Sequence, residues 1–469
     1  MKCVTILAVL VASIQAQQEQ PLNVVFLLAD DLGYKDLGCY GSSFYETPHL
    51  DALAASGMRF TQAYAACPVC SPTRASIMAG KYPARMKTTD YFGGRRKERL
   101  LPARYIDRLP LEETTLGEAF KAAGYRTGFM GKWHLGPQGF WPEDQGFDVN
   151  VGGWRAGHPN AGYFAPWKNP RLKDSPKGTY LTDRITDEAE RFLEQSKDGP
   201  FMLYIGYYLV HTPLQAKKEV VAKYRERKKQ DPAAAGTAWG KERKRKVRLV
   251  QDHAVYAAMV EHLDASVGRI VSKLRALGLA DNTAIVFMSD NGGLSTSEGH
   301  PTSNLPLRAG KGWVYEGGIR EPMIIAWPGR TRAGSTCETP VISTDFYPTL
   351  LDMAGLPARP RQHVDGVSLV RLLGGDEGLA ERDLYWHYPH YGNQGGAPCG
   401  AVRAGDHKLI EWYETGGVEL YDLAKDEGER IDLAQRLPER ALELKGRLQR
   451  WRRRVGAEMP TPNPGWKQR

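Results

Sequence analysis

The chain is poor in cysteine, with six in 469 residues, and one of these, Cys3, falls in the N-terminal segment. So few thiols in so long a chain exclude a scaffold built on disulfides. One or two bridges remain open, and spacing alone does not pair them. Asn-x-Ser/Thr glycan acceptor sites are absent, which favours a bacterial exported protein over a glycosylated lysosomal one. Past residue 16 no apolar run is long enough to cross a bilayer, so no membrane span is expected. Internal repeats and low-complexity tracts are also missing.

What is present fits a globular enzyme of one large and one small domain: 42% hydrophobic residues, 25% charged, and abundant Gly and Pro. Met1-Lys2, the apolar run from Val4 to Val11 and the small residues ending at Ala16 predict a signal peptide over 1–16, hence export to the periplasm or medium. The net charge of +9 is concentrated in 217–248, which holds Lys217, Lys218, Lys223, Arg225, Arg227, Lys228, Lys229, Lys241, Arg243, Lys244, Arg245, Lys246 and Arg248. This stretch reads first as a solvated, mobile helical insertion, and second as an attractor for a polyanion such as a sulfated glycan. No base-reading motif or interleaved aromatics accompany it, so nucleic acid is not expected as a partner.

Apolar runs at 24–29, 201–209, 284–288 and 323–327 are candidate buried strands. Between them Tyr256, Met259, Val260, Leu263, Val267, Ile270 and Leu274 mark one face of a helix, and Ile185, Ala189, Phe192 and Leu193 mark another. Strands alternating with helices predict an α/β fold with a large, mostly parallel sheet covered on both faces. The character changes near residue 375. Short strands at 384–391, 400–404, 408–413 and 418–423, then one helix, predict a small C-terminal antiparallel sheet with a packed helix. The expected division is 22–375 for the catalytic domain and 376–469 for the small α+β subdomain.

In an open parallel sheet ligands sit at the carboxyl ends of strands, and the polar residues fall there. Asn23 to Ala29 ends in Asp30-Asp31, and Ala284 to Ser289 ends in Asp290-Asn291-Gly292-Gly293. Three carboxylates and an amide oxygen form a hard-oxygen set suited to Ca²⁺ or Mg²⁺; singly, each pair reads equally well as a turn or helix cap. Between them lies Cys70-Ser71-Pro72-Thr73-Arg74, opening a turn of small residues. Cys67-Pro68-Val69-Cys70 is also a C-x-x-C pair, which keeps a redox dithiol open.

The ordered set Asp30-Asp31, Cys70-x-Pro72-x-Arg74, Gly131-Lys132-Trp133-His134-Leu135-Gly136, His211-Thr212-Pro213, Asp290-Asn291-Gly292-Gly293 and Gly310-Lys311-Gly312 resembles the type I, formylglycine-dependent sulfatases of the alkaline-phosphatase superfamily, bacterial glycan sulfatases in particular. The likeness runs from about Asn23 to Pro328, without departure at these positions. It implies a sulfuric ester hydrolase that removes sulfate from a sulfated carbohydrate. Cys70, oxidised to formylglycine by a maturation enzyme, would be nucleophile and metal ligand, passing through a covalent sulfo-enzyme intermediate. Asp30, Asp31, Asp290 and Asn291 would complete the Ca²⁺ site, with Mg²⁺ as the other candidate. Arg74 and Lys132 would hold the hydrated aldehyde, His134 would take the proton from its second hydroxyl, and His211 and Lys311 would bind the leaving oxygen.

For the substrate, the loops holding Trp154, Arg155, His158 and His300, and His387 with His390, offer aromatic, His and Arg mixtures suited to a sugar ring. Two rivals stand beside this reading: a phosphodiesterase or phosphonate monoester hydrolase of the same superfamily, and a lectin-like pseudoenzyme with unmodified Cys70.

Overall fold

The structure, a computed structural model, describes residues 20–230, 237–376 and 378–467. The expected signal peptide lies outside them. Nine strands form the main sheet of the described chain: β1 Asn23–Ala29, β2 Met58–Tyr64, β3 Arg126–Gly131, β4 Val149–Val151, β5 Phe201–Gly206, β6 Thr283–Ser289, β7 Arg320–Ala326, β8 Ser335–Cys337 and β9 Val341–Ile342. Their order is β8-β2-β7-β6-β1-β5-β3-β4, with β9 also on β2. All pairings are parallel except those of β7, which runs antiparallel to β2 and β6. The apolar runs read as strands are all strands. β1, β5, β6 and β7 are buried at every position, as a sheet covered on both faces requires.

The sheet separates two apolar layers. On one face Val25, Leu27 and Ile205 pack with α2 Leu181–Gln195 and α4 Ala254–Ala276; on the other Val24, Phe26 and Leu28 pack with the buried helix α1 Cys70–Ala79. The alternation of neighbouring side chains along β1 between the layers follows from the two-residue period of a strand. The small sheet, β10 Leu384–Tyr388, β11 Cys399–Ala404, β12 His407–Trp412 and β13 Val418–Asp422, is antiparallel throughout. Helix α5 Pro438–Val455 covers it with Ala441, Leu444, Leu448 and Trp451.

The basic stretch differs from its first reading. Part of it is α3 Lys218–Gln230, which buries Val221 and Tyr224; part is a hairpin, Trp239–Glu242 with Arg245–Arg248. Many of its cations are paired: Lys217 with Asp183, Lys223 with Glu46 and Glu261, Lys228 and Arg248 with Asp252. Charge composition marks a surface; the acids that dock it come from elsewhere in the chain. No disulfide joins the cysteines among the described residues, and the Cys67 sulfur sits 4.0 Å from the Thr89 carbonyl oxygen. No described helix is long and apolar enough to cross a membrane.

Candidate active site

Three neighbouring strands end at one point. β1 delivers Asp30 and Asp31, β6 delivers Asp290 and Asn291, and β5 runs on to His211. Beyond β5, β3 leads into Lys132 and His134. Asp31 turns through φ +61° and His134 through φ +57°, so the chain folds sharply back directly after each strand. Cys70 opens α1, where the residue before the helix, Val69, provides no side-chain cap. The first-turn N–H groups therefore face the site with their partial positive charge.

The acids and bases interlock. Lys132 Nζ donates to Asp30 Oδ2 at 2.6 Å, and Lys311 Nζ lies 2.7 and 2.8 Å from the two Asp31 oxygens. Arg74 Nε donates to Asp290 Oδ2 at 2.7 Å and its Nη1 to the Lys132 carbonyl oxygen at 2.8 Å. Asn291 Nδ2 donates to Asp31 Oδ1 at 2.8 Å. His211 Nε2 is 3.6 Å from Asp31 Oδ2, and its Nδ1 is 2.8 Å from the Thr212 carbonyl oxygen; since a carbonyl only accepts, Nδ1 carries a proton. All these side chains are buried or nearly so.

Burial and neighbouring charge set the proton affinities. Burial pushes the Asp30 carboxyl well above the usual range against the pull of Lys132, with Asp290 and Asp31 adding to the rise. Burial acts the same way on Asp31, but Lys311, His211 and Lys132 overcome it and hold it at about 2. The Cys70 thiol is pushed up to about 11 by burial, despite Lys132 and Lys311. Burial and then Lys311 bring His211 down to about 3. Burial, then Lys132 and Arg74, keep His134 well below the usual histidine value. Both rings are thus neutral, and the Cys70 thiol is a poor nucleophile as it stands.

The residues fit a divalent cation. Asp30 Oδ1 and Asn291 Oδ1 are buried and have no hydrogen-bond partner among the described residues, an expensive state unless something meets them. Ligand atoms of Asp30, Cys70 and Asp290 lie within 4.8 Å of one another. The oxygen-rich donor set matches Ca²⁺ or Mg²⁺ better than zinc.

Above this floor opens a cavity of about 330 Å³ lined by Cys70, His134, His211 and Lys311, and at its sides by Arg155, His158, Tyr91 and Phe92. The His158 and His211 rings stack at 6.3 Å. A Cβ on Gly157 would sit 2.4 Å from the His134 ring, so glycine is what lets the 155–158 loop close over it.

The other sugar-contact candidates go elsewhere. Trp154 accepts the His134 N–H at its carbonyl oxygen (3.1 Å) and does not line the cavity. His300 packs against Trp239, with ring centroids 5.4 Å apart. His387 is buried between Tyr413 Oη and the Glu458 carbonyl oxygen, and His390 is buried on Thr89 Oγ1. The structure brings none of these three histidines to the cavity, because their ring nitrogens or faces are committed to packing between the sheets and loops. In their place Glu298, Asn393 and Gln394 line it. Both loops were visible as candidates, but which of their side chains faces inward depends on contacts made between them.

Comparison with known proteins shows the family and the fold. A family model described as Sulfatase matches residues 22–356, and one described as N-sulphoglucosamine sulphohydrolase, C-terminal, matches 309–454. The chain is 31% identical to a sulfatase of Formosa agariphila, over 94% of this chain and 91% of that protein. It is 35% identical to N-acetylgalactosamine-6-sulfatase of Sus scrofa, over 86% and 74%. The crystal structure of Ps i-CgsB superimposes with a TM-score of 0.76 at 29% identity, covering 95% of each chain; that protein is also solved in complex with k-i-k-neocarrahexaose.

Proposed function

Since the chain belongs to the sulfatase family, and is therefore a sulfuric ester hydrolase, we propose that it removes sulfate from a sulfated carbohydrate and that residue 70, converted from cysteine to formylglycine, is its nucleophile. One observation carries the reading: Cys70 begins a buried helix among Asp30, Asp290, Lys132 and Lys311, at the floor of a cavity open to a ligand. An unmodified thiol held at about 11 is unsuited to attack, and the helix N-terminus and cations favour an oxygen nucleophile and the anion it meets.

Hydrated formylglycine would supply two hydroxyls on one carbon. One passes its proton to the adjoining carboxylates as it attacks sulfur and displaces the sugar oxygen. Loss of the other's proton re-forms the aldehyde as the carbon–oxygen bond to sulfate breaks. Arg74, locked by Asp290 and the Lys132 carbonyl, and Lys132, locked by Asp30, orient that group. Lys132 and Lys311 meet the charge that builds on the sulfuryl oxygens. His134, neutral and with Nδ1 unpartnered, takes the proton from the second hydroxyl. His211 gives a proton to the departing alcohol; its low affinity in the free site rises when the anionic sulfate ester lies beside it. Asp30, Asp31, Asp290, Asn291 and residue 70 would hold Ca²⁺, or Mg²⁺, which would lend positive charge to the sulfate oxygens.

The relatives' substrates, together with Arg155, His158, Tyr91 and Phe92 at the cavity wall, support a sugar sulfate. The N-terminal segment supports export, with a maturation enzyme as the transient partner, and 22–375 with 376–469 is the proposed domain division. The test is mass spectrometry of the tryptic fragment holding Cys70, from a host that matures other sulfatases, paired with turnover of sulfate, phosphate and phosphonate esters. Loss of about 18 Da at residue 70 with dominant sulfate ester turnover is expected. Dominant phosphate or phosphonate turnover would favour the first rival, and an unmodified, inactive Cys70 the pseudoenzyme.

A further inference from the structure

We propose that Glu298 is the specificity-determining residue of this cavity: a fixed carboxylate that accepts a hydrogen bond from a hydroxyl neighbouring the scissile sulfate and turns away sugars carrying a second anionic group there. The proposal rests on the sulfatase reading and adds its substrate class, a singly sulfated sugar with a free neighbouring hydroxyl.

A carboxylate in a pocket built for an anion works against binding, because like charges repel across a poorly solvated space. Among the described residues lining the cavity Glu298 is the one acid, facing Lys311, Arg155 and the histidines. Neutralising Lys311 does not account for it, since that ammonium already lies against both oxygens of Asp31 and Glu298 acts on it less than Asp31 does. Its position is also built rather than incidental. Oε1 accepts from Asn393 Nδ2 and from Gln394 Nε2, each at 2.7 Å, so two amides from the 393–394 loop, far along the chain, orient one oxygen. No described residue hydrogen-bonds Oε2. The backbone of Glu298 is left-handed, with φ +52°, which a residue with a Cβ adopts only at a cost.

Position identifies what it reads. Polar atoms of Glu298, His211 and Asp31 lie within 4.8 Å of one another, and His211 serves the leaving oxygen in the mechanism above. Glu298 is therefore placed beside the leaving oxygen, where the next substituent of a sugar ring falls. A carboxylate there accepts from a hydroxyl and repels sulfate or uronate. A site that hydrogen-bonds a hydroxyl rejects analogues lacking it far more strongly than a site that only packs around them.

The experiment compares wild type, Glu298→Gln and Glu298→Ala on 4-methylumbelliferyl sulfate, on the 3-, 4- and 6-monosulfates of galactose and N-acetylgalactosamine, and on the matching disulfates. The expected result is a fall in kcat/KM on the preferred monosulfate of about 10- to 100-fold, as for a lost hydrogen bond to a charged acceptor. That fall should be at least tenfold greater than on the aryl sulfate, and the preference for monosulfate over disulfate should shrink. An equal fall on sugar and aryl substrates would overturn the proposal in favour of a role through His211, and no fall on any would overturn it outright. Melting-temperature shifts with the same sugars, which need no turnover, separate this outcome from failure of the sulfatase reading. A wild-type protein without esterase activity whose monosulfate-induced shift is lost in Glu298→Gln retains the hydroxyl-reading role, and one whose shift is kept does not.

Discussion

Two clusters of buried charge lie on opposite sides of β7, and they are satisfied differently. In the seam between the sheets, Lys408 Nζ sits 2.8 Å from Glu316 Oε1 and 2.9 Å from Glu429 Oε1. Glu316 Oε2 accepts from Tyr64 Oη, and Glu429 Oε2 from the Glu316 N–H. Three of the four acid oxygens there accept hydrogen bonds from the folded chain, and the fourth, Glu429 Oε1, has the Lys408 ammonium as an ion-pair contact. At the strand tips Asp30 Oδ1, Asn291 Oδ1 and Arg74 Nη2 are equally buried and have no hydrogen-bond partner among the described residues. In the first cluster Lys408 meets both acids and joins two sheets; the second leaves three atoms around one point for something the chain does not itself provide. Burial alone does not distinguish structural from functional charge; several unpartnered atoms gathered around one point mark the functional cluster.

The same substitution at the two clusters should therefore fail in different ways. Lys132→Met removes a cation aimed at the sulfate and should lower kcat/KM by about 10²-fold or more, with a small change in melting temperature when divalent ion is present. Lys408→Met leaves Glu316 and Glu429 buried without their cation and should destabilise by about 3–5 kcal/mol, while the fraction that remains folded turns over normally. Thermal melts and single-turnover rates on both variants check the contrast. Equal losses of stability would mean that the strand-tip cluster is also structural.

Removing divalent ion sharpens the contrast further. Chelation should abolish turnover and lower the melting temperature, since an ion at a hundredfold excess over its Kd stabilises by about 2.7 kcal/mol. Ca²⁺ or Mg²⁺ should restore both, and Asp30→Asn should make the melting temperature insensitive to either. Calorimetric titration of the chelated protein measures the site directly.

Much of this was legible in the sequence because it is local. A buried parallel strand is a continuous apolar run, and the fold places ligands at its tip, so Asp30, Asp31, Asp290 and Asn291 announced themselves. Cys70, Lys132 and His134 came from short motifs whose order along the chain is specific. Less legible were β2 and β3, whose sequences interrupt the apolar run with Arg59, Thr61 and Gln62, or with Thr127 and Gly128. Least legible was the cavity wall. Glu298 lines it because Asn393 and Gln394 hold it there, and a contact across nearly a hundred residues leaves no periodicity. His387 and His390, chemically the better sugar ligands, are spent in the seam. That failure is general: residue type says what a side chain can do, and tertiary packing decides whether it is free to do it.

The seam also holds an acid without a matching cation, and there the contrast can be tested by pH. Asp90 is pushed up to about 7 by burial, although the Tyr91 N–H and Tyr388 Oη bond to it. Its neighbour His390, 3.7 Å away, is brought down to about 3 by burial, so between those two values the pair sits together uncharged. An acid whose affinity is raised in the folded state stabilises fully below its unfolded value near 3.8, and this contribution is lost as pH rises through about 7. Below that range His390 acts in the opposite sense, since the unfolded ring takes a proton that the folded ring refuses. Asp90→Asn removes only the first effect. The variant should match wild type near pH 4 and melt about 2 °C or more above it at pH 8, with turnover retained because no atom of Asp90 reaches the cavity. Equal melting at pH 8 would mean that Asp90 is charged in the folded protein, with Arg95, whose charge opposes the rise, compensating it.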